Sequence, residues 1–231
     1  DNLANLLFVS EPSGMTNLVR EGIESERMHL VGDIMLETLE LFVDSVRANL
    51  RWKNFGLKRG AYALVTLHRP SNVDSPEALA EVMDMLRIIE MPAIFPLHPR
   101  TMKRICEFNF SAVVQSIPDL VLIPPESYID FLSLLEGSAL IISDSGSVQA
   151  EASFFDIPCL VCRENTERPI YIEHGTSALI GRDKEKLRAH LDDIKAGTFK
   201  RSAPAISQLG HNVAAKTVKT IDNFIQAIGT A

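Results

Sequence analysis

The sequence predicts an α/β protein built on a doubly wound, Rossmann-like parallel sheet. Two observations carry this prediction. Short apolar, strand-like runs alternate with helical patterns almost throughout, which indicates βαβ units. Histidine, arginine and hydroxyl residues cluster just after several of those runs, where ligands of such sheets bind.

Taken in chain order, strands are expected at Leu6–Val9 and Met28–Val31, around a helix near 15–21. Two strands and one helix are too little to fold alone, so residues 1–33 read as the terminal β-α-β of a first domain. The opening on Asp1 rather than Met is read as an internal start within a longer polypeptide. A helix over 34–50 ends in the polar, glycine-punctuated stretch Arg51–Gly60, which makes 34–60 a linker helix and connection. Strands then follow at Tyr62–Leu67, Ala93–Leu97, Leu120–Ile123, Leu140–Ser143, Pro158–Val161 and Ala178–Ile180. Between them lie helices near 76–89, 101–108, 128–136, 147–155 and 184–194, and residues 61–206 form one Rossmann-like domain. A last helix near 212–228 makes 207–231 a C-terminal segment returning toward the first domain.

Composition excludes several classes. With 46% hydrophobic and 23% charged residues the chain is ordinary globular material. A net charge of −7 without a Lys/Arg block argues against a nucleic-acid surface, while leaving room for a local cationic pocket. No apolar run approaches the roughly 18–20 residues of a membrane span. Cys159 and Cys162 form a C-x-x-C, but they lie in Ile157-Pro158-Cys159-Leu160-Val161-Cys162, which reads as a buried strand. Positions three apart on a strand face opposite sides, so they are expected to be structural cysteines. With Cys106 the count is odd and no secretion signal is present, which favours the reducing cytosol. No His/Asp/Glu spacing resembles a zinc site, so no catalytic metal is expected.

Four strand ends carry the candidate chemistry: His68-Arg69-Pro70-Ser71-Asn72-Val73-Asp74, His98-Pro99-Arg100-Thr101, Ser143-Asp144-Ser145-Gly146-Ser147, and Arg163-Glu164-Asn165-Thr166-Glu167-Arg168. Together they point to an anionic ligand. The third stretch admits three readings. A nucleophile elbow needs glycine two residues before the serine, and Ser143 fills that place, so a serine hydrolase is disfavoured. As a cap, Ser145 or Ser147 would accept from backbone N–H groups above an apolar stripe of Val148, Ala152 and Phe155. As an anion site, the same N–H groups and the helix dipole would hold phosphate, with Gly146 allowing close approach.

Glu151, one turn into that helix, would repel phosphate and suits a neutral hydroxyl such as a ribose; a solvated surface acid is the plainer alternative. Asp144 either orients the loop or closes an Asx turn. His68 is favoured as a phosphate ligand or general acid. For His98 that role and a hydrogen-bonded structural one stay open. Glu164 and Arg168, four apart, suit an ion pair.

The stretches "TLHRPSNVD", "HPRT", "SDSGSVQAE" and "RENTERP", with "HGTSALIG" and "VGDIMLETL", resemble the non-hydrolysing UDP-N-acetylglucosamine 2-epimerases in the same order along the chain. The resemblance implies a glycosyltransferase-B-type fold of two Rossmann-like domains, of which this chain holds the second. It implies cytoplasmic interconversion of UDP-GlcNAc and UDP-ManNAc for polysaccharide synthesis, through UDP elimination and re-addition, in a homodimer without metal or nicotinamide. By motif, His68 would contact the diphosphate or assist UDP departure as the catalytic residue. Ser145, Gly146 and Ser147 would hold the phosphates, Glu151 the ribose, and Arg168 the phosphate or sugar side; Glu126 and Phe131 would lie by the uracil. Ser147 and Ala150 replace a usual glycine and glutamate, and Asp156 a usual glycine, a place where aspartate tolerates positive φ. The family's acid/base carboxylates belong to the first domain, so a portion of roughly 100–200 residues is expected to be missing, and this chain alone to be inactive. A hydrolysing relative, a nucleotide-sugar glycosyltransferase and a non-catalytic nucleotide-binding module are the alternatives.

Overall fold

The computed structural model describes residues 3–203, 206 and 209–229. Residues 1, 2, 204, 205, 207, 208, 230 and 231, at the edges of the expected segments 1–33, 61–206 and 207–231, lie outside the described residues.

Two parallel sheets form. The small one pairs β1 (Leu7–Val9) with β2 (Met28–Leu30) across α1 (Pro12–Arg20). The large one holds β3 (Ala63–Thr66), β4 (Ala93–Pro96), β5 (Leu120–Ile123), β6 (Leu140–Ser143), β7 (Cys159–Val161) and β8 (Ser177–Leu179). Its order is β5-β4-β3-β6-β7-β8, with every neighbouring pair parallel. The chain therefore runs outward from β3 to β5, returns to β6 beside β3, and runs outward the other way. That reversal makes the carboxyl ends of β3 and β6 the topological switch point, the usual ligand crevice of such sheets. Thr66 and Ser143 are partners at the end of the β3–β6 ladder, so the residues after each meet in space.

The helices begin where their sequences provide caps. Asp33 accepts from Met35 N at 3.0 Å to open α2 (Ile34–Asn49), and Ser75 accepts from Ala78 N at 3.1 Å to open α4 (Pro76–Leu86). The other helices are α3 (Pro70–Val73), α5 (Pro99–Glu107), α6 (Ser111–Gln115), α7 (Tyr128–Gly137), α8 (Gly146–Phe154), α9 (Pro169–Glu173), α10 (Lys184–Ala196) and α11 (Val213–Gly229). Three of these, α3, α6 and α9, were not expected from the sequence. At four or five residues they are too short to show a 3.6-residue period. Expected strand limits mostly hold within a residue, and the helix expected near 76–89 stops at Leu86.

The central strands of the large sheet are buried on both faces, with side chains alternating between two cores. Ala63, Val65, Phe95, Ile142 and Leu160 pack with Leu79, Val82 and Met83 of α4. Leu64, Ile94, Ile141, Cys159 and Val161 pack on the other face with Leu39, Leu132, Val148 and Ala152. Cys162 joins the first core and Cys159 the second, the opposite-face arrangement that their spacing predicts. Both are buried free thiols, whereas Cys106 is exposed.

The segment from Val31 to Asp33 joins the two sheets. Gly32 has φ +105°, and a Cβ there would collide with the Leu209 carbonyl oxygen, so both conformation and space require glycine. Asp33 N donates to Leu209 O at 2.7 Å, and Glu37 accepts from Ala214 N at 2.7 Å. These bonds draw the C-terminal segment back onto the start of α2. Asp156 takes φ +59°, the left-handed conformation that its place after α8 demands.

Candidate functional site

The switch point is organised around Asp144, which is fully buried. Its carboxylate accepts from His68 N at 3.1 and 3.0 Å, Arg69 N at 2.8 Å and Asn72 Nδ2 at 2.9 Å. Asn72 also donates to Cys162 O at 2.9 Å, tying the end of β7 to the same cluster. Asp144 thus orients the loop after β3 rather than only closing a turn. Asn72 went unremarked in sequence because its partners are 72 and 90 residues away.

His68 follows β3 and is half-buried, with Nδ1 3.3 Å from Asp144 Oδ1. Burial lowers its pKa below the ordinary value; Asp144 opposes the shift, while His98, Arg69 and Arg100 add to it. His98 stacks on the His68 ring, centroids 4.8 Å apart. Its own Nδ1 accepts from Arg100 N at 3.1 Å and caps α5, a structural role for that nitrogen.

The N-terminus of α8 differs from the expected cap. Ser145 occupies the cap position with φ −85° and ψ 137°, yet no side chain caps the helix. The Ser145 and Ser147 hydroxyls lie 3.1 Å from each other instead, and Ser143 Oγ accepts from Ser145 N at 3.0 Å. The first N–H groups of α8 are therefore left for other acceptors. Space is available beside them: a Cβ on Gly146 would come no nearer than 4.0 Å to Arg168 Nε and Glu167 Oε2.

Arg168 supplies charge next to this helix end. The Glu164–Arg168 ion pair, the alternative to a ligand role, does not form. The i, i+4 bridge is one residue out of phase, Arg163 with Glu167 at 2.5 Å, because Arg168 is drawn to Asp33. Asp33 Oδ2 accepts from Arg168 Nη1 and, at 2.8 Å, from Tyr171 Oη. Asp33 and Arg168 both line a cavity of about 500 Å³ against α11.

Glu151 is buried rather than a solvated surface acid. Burial raises its pKa to about 7; Arg168 pulls it down and Asp33 pushes it up. Glu11, just after β1, is another buried acid; burial raises its pKa, against a 2.5 Å hydrogen bond from Ser13 and the charge of Arg168. Only its place after a strand could have marked it. Glu126 lies in the connection before α7, and Arg51 holds its carboxylate bidentately at 3.1 and 2.9 Å. Phe131 packs half-buried against the core under α7. His68, Ser145, Gly146, Ser147 and Arg168 thus gather around the loops after β3, β6 and β7, while Glu126 and Phe131 lie after β5.

Fold and site together define a Rossmann-like α/β protein of the glycosyltransferase-B-like class. The family model of UDP-N-acetylglucosamine 2-epimerase matches residues 1–221, and the chain belongs to that family. It is 38% identical over 194 residues to the UDP-N-acetylglucosamine 2-epimerase of Methanocaldococcus jannaschii, covering 81% of this chain and 53% of the relative. A UDP-2,3-diacetamido-2,3-dideoxy-D-glucuronate 2-epimerase of Pseudomonas aeruginosa is 31% identical over 193 residues, covering 81% of this chain and 51% of the relative. The M. jannaschii enzyme solved with UDP-GlcNAc and UDP superposes with a TM-score of 0.83 at 30% identity, covering 97% of this chain and 62% of that one. The chain spans about half the length of the curated relatives it matches.

Proposed function

We propose that the protein carrying this chain is an isomerase that interconverts UDP-GlcNAc and UDP-ManNAc, and that this chain is its UDP-binding half. One observation carries the reading: an uncapped helix N-terminus beside Arg168 faces the switch point next to His68. Free N–H groups and a guanidinium suit a diphosphate.

In this reading Ser145, Gly146 and Ser147 hold the diphosphate through the α8 backbone, and Arg168 neutralises it. Glu151 binds the ribose hydroxyls; Glu126 and Phe131 lie by the uracil. The reaction removes the C2 proton and breaks the C1–O bond to release UDP. Re-addition of UDP at C1 and a proton on the opposite face of C2 gives the epimer. His68 contacts the diphosphate or assists UDP departure, and carboxylates outside this chain move the C2 proton. Residues 1–33 then complete a first domain, 34–60 link it to the domain of 61–206, and 207–231 return toward it. We place the whole protein in the cytoplasm as a homodimer, with no nucleic-acid or membrane partner. Exposed Phe8 and Leu30 on the small sheet support burial of that region in a larger assembly.

Incubation of the full-length protein with UDP-GlcNAc, followed by NMR, tests the activity. UDP-ManNAc supports the epimerase; free ManNAc with UDP points to a hydrolysing relative. Calorimetry with UDP tests the binding half, Arg168→Ala and His68→Ala being expected to weaken it. No UDP affinity in the wild type rejects the phosphate site. Light scattering of the full-length protein reports a dimer mass if the assembly is right.

A further inference from the structure

The guanidinium of Arg168 is held from two directions. On the backbone side, Arg168 N donates to Thr166 Oγ1 at 3.1 Å, and Thr166 Oγ1 donates to Gln149 Oε1 at 3.1 Å. Gln149 Nε2 reaches Ser145 O at 3.4 Å. This chain ties the base of the arginine to the first turn of α8. At the tip, Asp33 takes Nη1, and it is 3% exposed at the head of α2, 135 residues earlier in sequence. Its two oxygens divide their work: Oδ1 caps α2 through Met35 N, and Oδ2 accepts from both Arg168 and Tyr171. With Nη1 taken there, Nε lies on the α8 side, 4.0 Å from the Gly146 Cβ position.

We propose that Asp33 is a positioning residue for phosphate recognition: from the head of α2 it fixes the guanidinium of Arg168 against the open N-terminus of α8. The proposal rests on the nucleotide-binding reading above. An arginine freed from Asp33 would lose rotamer entropy on each binding event and would lie over α8 only part of the time. Asp33 removes that cost before the ligand arrives. Because it belongs to the connection between the two sheets, it also makes diphosphate affinity depend on how that connection is seated.

The discriminating variant is Asp33→Asn. Its single amide oxygen can keep the α2 cap at Met35 N, but the –NH2 group then meets Arg168, donor against donor. Calorimetry on the intact protein compares UDP with uridine, which lacks the phosphates. The expected result is a loss of roughly tenfold or more in UDP affinity, with uridine affinity within about twofold of wild type. Tyr171→Phe, which deletes the other donor to Oδ2 while leaving the charge pair, should retain most of the UDP affinity. UDP binding unchanged in Asp33→Asn overturns the proposal. So does an equal loss for UDP and uridine, which would mean a general structural effect. A wild type that does not bind UDP overturns the nucleotide reading itself, and this proposal with it.

Discussion

The Asp144 carboxylate accepts the backbone N–H of His68 with both oxygens, at 3.1 and 3.0 Å, and so locks the end of β3 to the end of β6. Replacing Asp144 by Ala leaves the His68, Arg69 and Asn72 donors without this acceptor in a buried setting. The expected cost is about 3 kcal/mol, read as a lower urea midpoint at unchanged m-value. Asp144→Asn keeps one oxygen and should lose less.

The same carboxylate opposes the burial that lowers the pKa of His68. Burial, His98, Arg69 and Arg100 lower its pKa, and Asp144 is the neighbour that raises it. An NMR titration of the ring should give a midpoint below the ordinary value of 6.5. Asp144→Asn should move it lower still. A midpoint above the ordinary value would contradict burial as the dominant influence on the ring.

Glu151 predicts a pH dependence of stability. Its pKa rises from 4.5 unfolded to about 7 folded, chiefly through burial. The folded state therefore binds the proton more tightly, and the associated stability is full below about pH 4.5. It is lost as pH rises through about 7. Relative to Glu151→Gln, the wild type should lose on the order of 3 kcal/mol across that window. Thermal melts of both proteins from pH 5 to 8 check this; a constant gap between them would contradict it.

Thiol chemistry separates the three cysteines. Burial pushes the Cys159 thiol up to about 12 and that of Cys162 higher still, while Cys106 is exposed. A thiolate-reactive probe should label Cys106 quickly in the native protein and the other two only after denaturation. Rapid labelling of Cys159 or Cys162 would show that the two-faced core opens.

Much of the fold was legible because burial on a parallel sheet writes itself into the chain. Leu140–Ser143 and Leu120–Ile123 form the strands their apolar runs predict. The opposite burial of Cys159 and Cys162 followed from the period of two. The left-handed Asp156 matched its place after a helix. The short α3, α6 and α9 carry too few residues for a pattern to accumulate. At the site, the strand-end positions of His68, Ser145 and Arg168 were readable, but their partners were not. Ser145 was a sound cap by residue type, yet its hydroxyl meets Ser147. The Glu164–Arg168 pairing failed because i, i+4 spacing states only that two residues are neighbours. It says nothing of a stronger acceptor arriving from elsewhere.

The sequence by itself determined the fold class, the strand ends on which function concentrates, and the family. These are local quantities, set by periodicity and residue type within short windows. Only the tertiary structure decided that Asp144 serves His68, that Asn72 joins them to β7, and that Asp33 holds Arg168. Each of those pairs is separated by 72 to 135 residues and meets because the sheet reverses direction between β3 and β6 or because α2 packs back on α8. No local rule of side-chain chemistry encodes such a meeting.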